Sequence, residues 1–384
     1  MTDEAQPSAE LHPPQRLLCG PGPTNVAPSV LAAMQKPMLG HLDPDLHEIL
    51  LEVVAELRQV YRAQDGLVLP LQATGSSGME AGILNLVEPG ETVVVGVCGF
   101  FGRRIAEKAR RAGTEVVEVE ADWGEIIPTE EIVAALERHP ETRLVAVVQA
   151  ETSTGVEQPV AELAAAIAPS DALLMVDCVT SLGGIPVEFD RWGIDYAYSC
   201  TQKCLAAPPG MSPIAVSERA LERFRSRRHP VPFSFDLALL EDYWVTRPAT
   251  YHHTAPILHI YALHEALRLV LAEGLEQRWA RHAEVGAHLR AGIERRELEL
   301  LADPEHRLAP LTAVRLAEEV DGKAVQTAML REDGIEIGGG LGPQAPPMWR
   351  IGLMGENATI ETADQVLAAL DAALAEQPVT SLAG

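Results

Sequence analysis

Between Leu67 and Val216 short apolar runs recur at intervals that leave room for a helix between most neighbours, and this rhythm constrains the fold more than any other feature. The strand candidates are Leu67–Leu71, Thr92–Val97, Glu115–Val119, Leu144–Gln149, Ala172–Asp177, Tyr196–Ser199 and Ser212–Val216. Between them lie helical patterns at Ser76–Val87, Arg103–Ala112, Thr129–Arg138 and Val160–Ile167, with an amphipathic helix over Leu46–Arg62 beforehand. Thr92–Val97 is apolar without alternation, as in a strand covered on both faces. Strands alternating with helices build βαβ units, so the expected class is α/β with a mainly parallel sheet flanked by helices. Ligands of such sheets bind on the loops that follow the strands' carboxyl ends.

The pattern changes after about residue 260. A long helical stretch, Ile257–Arg296, leads to a strand near Thr312–Leu316, a helix around Ala324–Glu332, a strand near Trp349–Leu353 and a last helix over Ala363–Ala375. The expected division is an N-terminal arm over 1–24, a large domain over 25–272 and a smaller C-terminal α+β domain over 273–384.

A net charge of −25 argues against nucleic acid or an anionic membrane surface as partner, since either is repelled at long range. Any anion site must therefore be built from local donors. The polar, acidic first fifteen residues lead one to expect neither a secretory signal nor a transit peptide, no apolar run approaches membrane-spanning length, and the final Ser-Leu-Ala-Gly is not a peroxisomal address. A cytoplasmic protein is expected. Cys19, Cys98, Cys178, Cys200 and Cys204 form no C-x-x-C pair and no cluster with metal-ligand spacing, so reduced, buried thiols and no metal are expected.

Only four lysines occur. Lys108, in a charged helical segment, and Lys323, after Asp-Gly, are expected to be solvated, and Lys36 precedes Pro37 near the arm. Lys203 stands apart, after a strand in Ser199-Cys-Thr-Gln-Lys-Cys-Leu-Ala-Ala-Pro-Pro-Gly210. Small and apolar neighbours desolvate an amine, which favours the neutral form that makes a Schiff base. Three more loops carry unusual residues. Leu174-Met-Val-Asp-Cys-Val179 ends a strand on Asp177, suited to a protonated pyridine nitrogen. Ala73-Thr-Gly-Ser-Ser-Gly78 opens a helix with exposed N–H groups, a phosphate site that is neither a Walker nor a Rossmann loop. Gly99-Phe-Phe-Gly102 offers Phe100 or Phe101 for stacking on a flat ring.

With these loops the chain resembles the class V aminotransferases of pyridoxal-phosphate fold type I, most of all the alanine–glyoxylate and serine–glyoxylate transaminases. The matching segments are Gly20-Pro-Gly-Pro-Thr24, Glu151-Thr-Ser-Thr-Gly-Val156, Val176-Asp-Cys-Val-Thr-Ser-Leu-Gly-Gly184, Ser199-Cys-Thr-Gln-Lys-Cys-Leu205, Tyr251-His-His-Thr254 and Arg350-Ile-Gly-Leu-Met-Gly355. The resemblance implies pyridoxal 5'-phosphate on Lys203, with Asp177 at the ring nitrogen and Val179 and Phe101 on its two faces. It implies Thr74, Gly75, Ser76 and Gln202 at the phosphate, Thr152 near the ring, and Arg350 on the substrate carboxylate. Tyr251 and Thr254 would reach the phosphate of a second subunit, which implies a homodimer. Phe101 stands where relatives carry Trp, and Ser76 where some carry His.

The reaction so implied is ping-pong transfer of an amino group from alanine or serine to glyoxylate or a similar small 2-oxo acid. Alternatives are a phosphonate- or pyridoxamine-specific transaminase, a cysteine desulfurase or lyase, and a non-catalytic cofactor- or nucleotide-binding scaffold.

Overall fold

A computed structural model describes residues 10–376; the first nine residues of the expected arm and the Ser-Leu-Ala-Gly end lie outside the described residues. The centre is a seven-stranded sheet in the order Leu67–Leu71, Ser212–Val216, Tyr196–Tyr198, Leu173–Asp177, Leu144–Val148, Thr92–Val97, Glu115–Glu120. Ser212–Val216 is antiparallel to both its neighbours and the remaining pairs are parallel. The reversal of that strand was not readable from its apolar run.

The inner strands are buried along their whole length, as their unbroken Val, Leu and Ala content requires. The two edges differ. Glu115–Glu120 carries Glu115, Glu118 and Glu120, and Arg103 and Arg110 pair with Glu120 and Glu118. Leu67–Leu71 is fully buried and contains Pro70, a residue that sheets accept at an edge. Because the parallel strands share one direction, their carboxyl ends gather on one side. The loops after Leu71, Val97, Val148, Asp177 and Tyr198 open there.

Beyond the sheet, the expected single helix over Ile257–Arg296 is two, Ile257–Glu273 and Leu275–Glu294. Gly274 separates them at φ 86°, a left-handed value that ends a helix and that other side chains resist. The helix expected at Ala324–Glu332 runs Gly322–Ala328 and closes on a π turn, Met329–Asp333. Helices Glu218–Arg225 and Leu237–Trp244 lie where the periodicity gave no signal.

A second, four-stranded antiparallel sheet has the order Glu299–Leu300, Leu311–Arg315, Met348–Gly352, Gly338–Gly339. Its own core packs Val285, Leu289, Ile293, Val314, Trp349 and Ile351 against the last helix, Ile360–Ala375. Cys19 joins that core, and Leu17–Leu18 pairs with Ile335–Glu336, so the start of the described chain is bound to the C-terminal layer. Among the described residues no helix is long and apolar enough to cross a membrane.

Candidate active site

Asp177 is the last residue of its strand and is 2% exposed. Its Oδ1 accepts the Val179 N–H at 2.8 Å and its Oδ2 accepts the Tyr198 hydroxyl at 2.6 Å. Tyr198 is its register partner on the neighbouring strand. Burial pushes the Asp177 pKa up to about 7, against the pull of those two hydrogen bonds. Lys203 lowers the Asp177 pKa and Asp177 raises that of Lys203, so amine and acid lie within each other's field.

Lys203 sits in the turn after Tyr198, with its amine on the Pro21 carbonyl. Burial lowers its pKa, and the positive charge of Arg350 lowers it further, which favours a neutral nucleophilic amine. The segment 20–23 is packed onto this lysine. A Cβ at Gly22 would stand 2.5 Å from Lys203 Cδ and Nζ, and the residue has φ +104°, so glycine is required there twice over.

Thr74 precedes the helix Gly75–Leu86 and makes no capping bond through its side chain. The Gly75 and Ser76 N–H groups have no backbone acceptor among the described residues, at the positive end of a twelve-residue helix. A Cβ at Gly75 would meet Val179 Cγ2 at 3.0 Å and Cys200 Cβ at 3.2 Å. One glycine thus packs against both the aspartate loop and the lysine loop. Beside Lys203, the buried Gln202 Oε1 has no hydrogen-bond partner.

Phe101 belongs to the first turn of the helix Phe100–Arg111 rather than to a loop, which corrects the expected start at Arg103. Arg104 lies 5.5 Å from its ring and 4.6 Å from that of Phe100. Lys108, expected to be solvated, is instead tied to Ser76 O at 2.7 Å and Glu80 at 2.9 Å, joining this helix to the Gly75–Leu86 helix.

Arg350 enters from the second sheet and is buried. Its Nε donates to Gly339 O at 2.6 Å and its Nη1 to Thr152 O at 3.3 Å, while Nη2 has no partner among the described residues. The glycine run opposite is what brings a carbonyl so close, Gly338 being the register partner of Arg350. Burial lowers the guanidinium pKa to about 10, which leaves it charged at neutral pH.

Tyr251 and Thr254 are not brought to these residues within the chain. Both are exposed, and Tyr251 packs on His41 with ring centres 5.1 Å apart. All five cysteines are free and buried, and burial pushes the Cys200 and Cys204 thiols up to about 12. Burial disfavours the thiolate at both, and neither lies on the exposed loop that the desulfurase alternative needs. Among the described residues no group of His, Cys, Asp and Glu could hold a metal.

Several neighbours are given no role by the sequence. Tyr198 is one, and Glu151, Ser153 and Pro21 are others, although they lie in the matching segments. Arg278 is another, donating to the carbonyls of Cys204 at 2.7 Å and Gly183 at 3.0 Å. One turn on, His282 accepts the Gly355 N–H at 3.0 Å. A single helix therefore braces the lysine loop and the segment that follows the arginine strand.

The family profile described as aminotransferase class-V matches residues 17–360. The chain is similar to the alanine–glyoxylate aminotransferase of Drosophila melanogaster, 39% identical over 95% of this chain and 93% of the relative. It is 36% identical to the (S)-ureidoglycine–glyoxylate transaminase of Bacillus subtilis (strain 168), over 95% of this chain and 92% of that one. The crystal structure of an alanine–glyoxylate aminotransferase from Nostoc sp. superposes with a TM-score of 0.94 at 44% identity, covering 97% of this chain and 98% of that chain. With amine, acid, arginine and helix N-terminus set around the carboxyl ends of the parallel strands, and with likeness of this extent, the chain belongs to the class-V aminotransferase family and is a transaminase.

Proposed function

We propose that this transaminase works with pyridoxal 5'-phosphate held at Lys203, and that it moves an amino group from alanine or serine to glyoxylate or a similar small 2-oxo acid. The observation that carries the reading is that Gly75, at a helix N-terminus whose first N–H groups are open, packs against both the loop of the buried Asp177 and the loop of the buried Lys203. The residues fit such a cofactor. A buried carboxylate suits a ring cation, the Gln202 amide has an unpartnered end and can turn its N–H groups to an anion, and Gly75 leaves the helix start bare.

When bound, pyridoxal phosphate supplies an aldehyde that condenses with amines and a cationic ring that draws electrons from the adjoining carbon. The chain's residues do the rest. Lys203, kept neutral by burial, carries the cofactor and then takes the proton from the donor's Cα. Asp177 holds the ring nitrogen's proton, and that cation in turn favours the ionised carboxylate. Phe101 and Val179 would enclose the ring, with Thr152 hydrogen-bonding near it. Thr74, Gly75, Ser76 and Gln202 take the phosphate.

Arg350 grips the substrate carboxylate through its free guanidinium edge, a planar fork that lysine lacks. Tyr251 and Thr254 complete the phosphate site of a second copy. That role accords with the 55% exposure of Tyr251, with Leu42 at 55% and Met38 at 70% exposed. The expected compartment is the cytoplasm.

The test is direct. Borohydride should fix the cofactor's colour on Lys203, and L-alanine or L-serine should bleach the holoenzyme while glyoxylate restores it. Activity retained in Lys203→Ala, or colour that no amino acid bleaches, refutes the proposal.

A further inference from the structure

The helix Phe100–Arg111 begins without a capping side chain of its own, since Gly99 stands at its N-cap. Its first N–H groups are capped from another loop. Ser153 Oγ accepts the Phe100 N–H at 2.8 Å, and Glu151 Oε2 accepts those of Phe101 and Gly102 at 3.1 and 3.2 Å. Glu151 Oε1 accepts the Ser153 hydroxyl at 2.6 Å and its N–H at 3.1 Å.

The carboxylate is 0% exposed and receives only donors, which suits the ionised form; burial raises its pKa while these same bonds lower it. A Cβ at Gly99 would lie 2.6 Å from Glu151 Cγ, so the bare position makes room for the borrowed cap. Between the two capping residues is Thr152, whose carbonyl holds Arg350 Nη1 at 3.3 Å. The charge of Glu151 also favours the charged form of Arg350.

We infer that Glu151 is a positioning residue of the active site. By capping the Phe101 helix from the loop that also contacts Arg350, it sets the spacing between the side chain over the ring and the carboxylate clamp. The inference rests on the roles proposed above for Phe101 and Arg350. Serine at 153 is the second part of the device. An amide at 151 must turn its NH2 either toward the Ser153 N–H or toward those of Phe101 and Gly102, which can only donate, so the cap loosens although the volume is kept.

The experiment compares wild-type, Glu151→Gln and Ser153→Ala holoenzymes with Asp195→Asn, which disturbs another buried carboxylate, one that accepts the Leu174 N–H at 2.8 Å. Propionate, a carboxylic acid with no amino group to transfer, is titrated with cofactor absorption as reporter, and KM, kcat and Tm are measured alongside. Glu151→Gln should weaken propionate and raise the donor KM by about 5- to 10-fold, and Ser153→Ala by about 2- to 3-fold. Asp195→Asn should lower Tm and leave both values alone.

Propionate binding in Glu151→Gln and Ser153→Ala within about twofold of wild type overturns the inference. So does an equal weakening in Asp195→Asn. If Glu151→Gln does not fold, the Ser153→Ala ratio decides. Wild-type protein that takes up no pyridoxal phosphate would refute the underlying reading, and this inference with it.

Discussion

Asp177→Asn should stabilise the cofactor-free protein while disabling the enzyme. Asparagine keeps both local bonds, because its oxygen accepts the Val179 N–H and its amide donates to the Tyr198 hydroxyl oxygen, which occupy the two sides of the aspartate. What it removes is a buried charge. The carboxyl pKa rises from 3.8 to about 7 on folding. A raised carboxyl pKa favours the fold at low pH, and that contribution is lost as pH climbs from about 4 to about 7. At ~1.4 kcal/mol per pKa unit, the loss is on the order of 4 kcal/mol above that window.

The assay is thermal melting of cofactor-free wild type and Asp177→Asn at pH 5 and pH 8, at one scan rate. At pH 5 the folded carboxyl is neutral but the unfolded one is already ionised, so about a third of the loss has accrued and the variant should melt only slightly higher. At pH 8 the variant should melt a few degrees higher, while its affinity for pyridoxal phosphate and its turnover collapse. A variant that melts below wild type at pH 8, or that differs equally at the two pH values, refutes the argument that burial of the charge is what sets this pKa.

Arg350→Lys keeps the charge but loses the fork held by Gly339 and Thr152, so KM for the amino donor should rise about 30-fold, roughly 2 kcal/mol, with a smaller change in kcat; steady-state kinetics on each half-reaction check this. Gly22→Ala should lower the yield of cofactor trapped on Lys203 by borohydride, because the added methyl meets the lysine amine and a φ of +104° strains any other residue. If Tyr251 serves the neighbouring copy, mixing the inactive Tyr251→Ala and Lys203→Ala proteins should restore activity, about half of wild type per mixed dimer, since one of its two sites is then intact. Mixtures that stay inactive while exchanging subunits would place Tyr251 elsewhere.

The sheet was legible where burial is continuous. Thr92–Val97 and Ser212–Val216 lie where their apolar runs put them, and the helices Thr129–Arg138 and Val160–Ile167 have the ends their periodicity marks. Lys203 and Asp177 stood out because a lone charge among small and apolar residues is expensive to bury, and the fold does place the two in one electrostatic field. The start of the Phe101 helix was not legible, for its caps come from residues some fifty positions later and leave no local mark. Tyr198 was hidden for a similar reason, since its bond to Asp177 depends on which strands become neighbours. Lys108 misled because a charged helical segment looks alike whether it faces water or a carbonyl across a groove.

Sheet-to-sheet growth is closed to this molecule at both flanks. A second copy approaching the Glu115–Glu120 flank would set its own glutamates against the same residues, and the Leu67–Leu71 flank lies beneath other parts of the chain. A dimer is therefore not joined by continuing the seven-stranded ladder between copies, and changes along either of its flanks should alter solubility before they alter pairing.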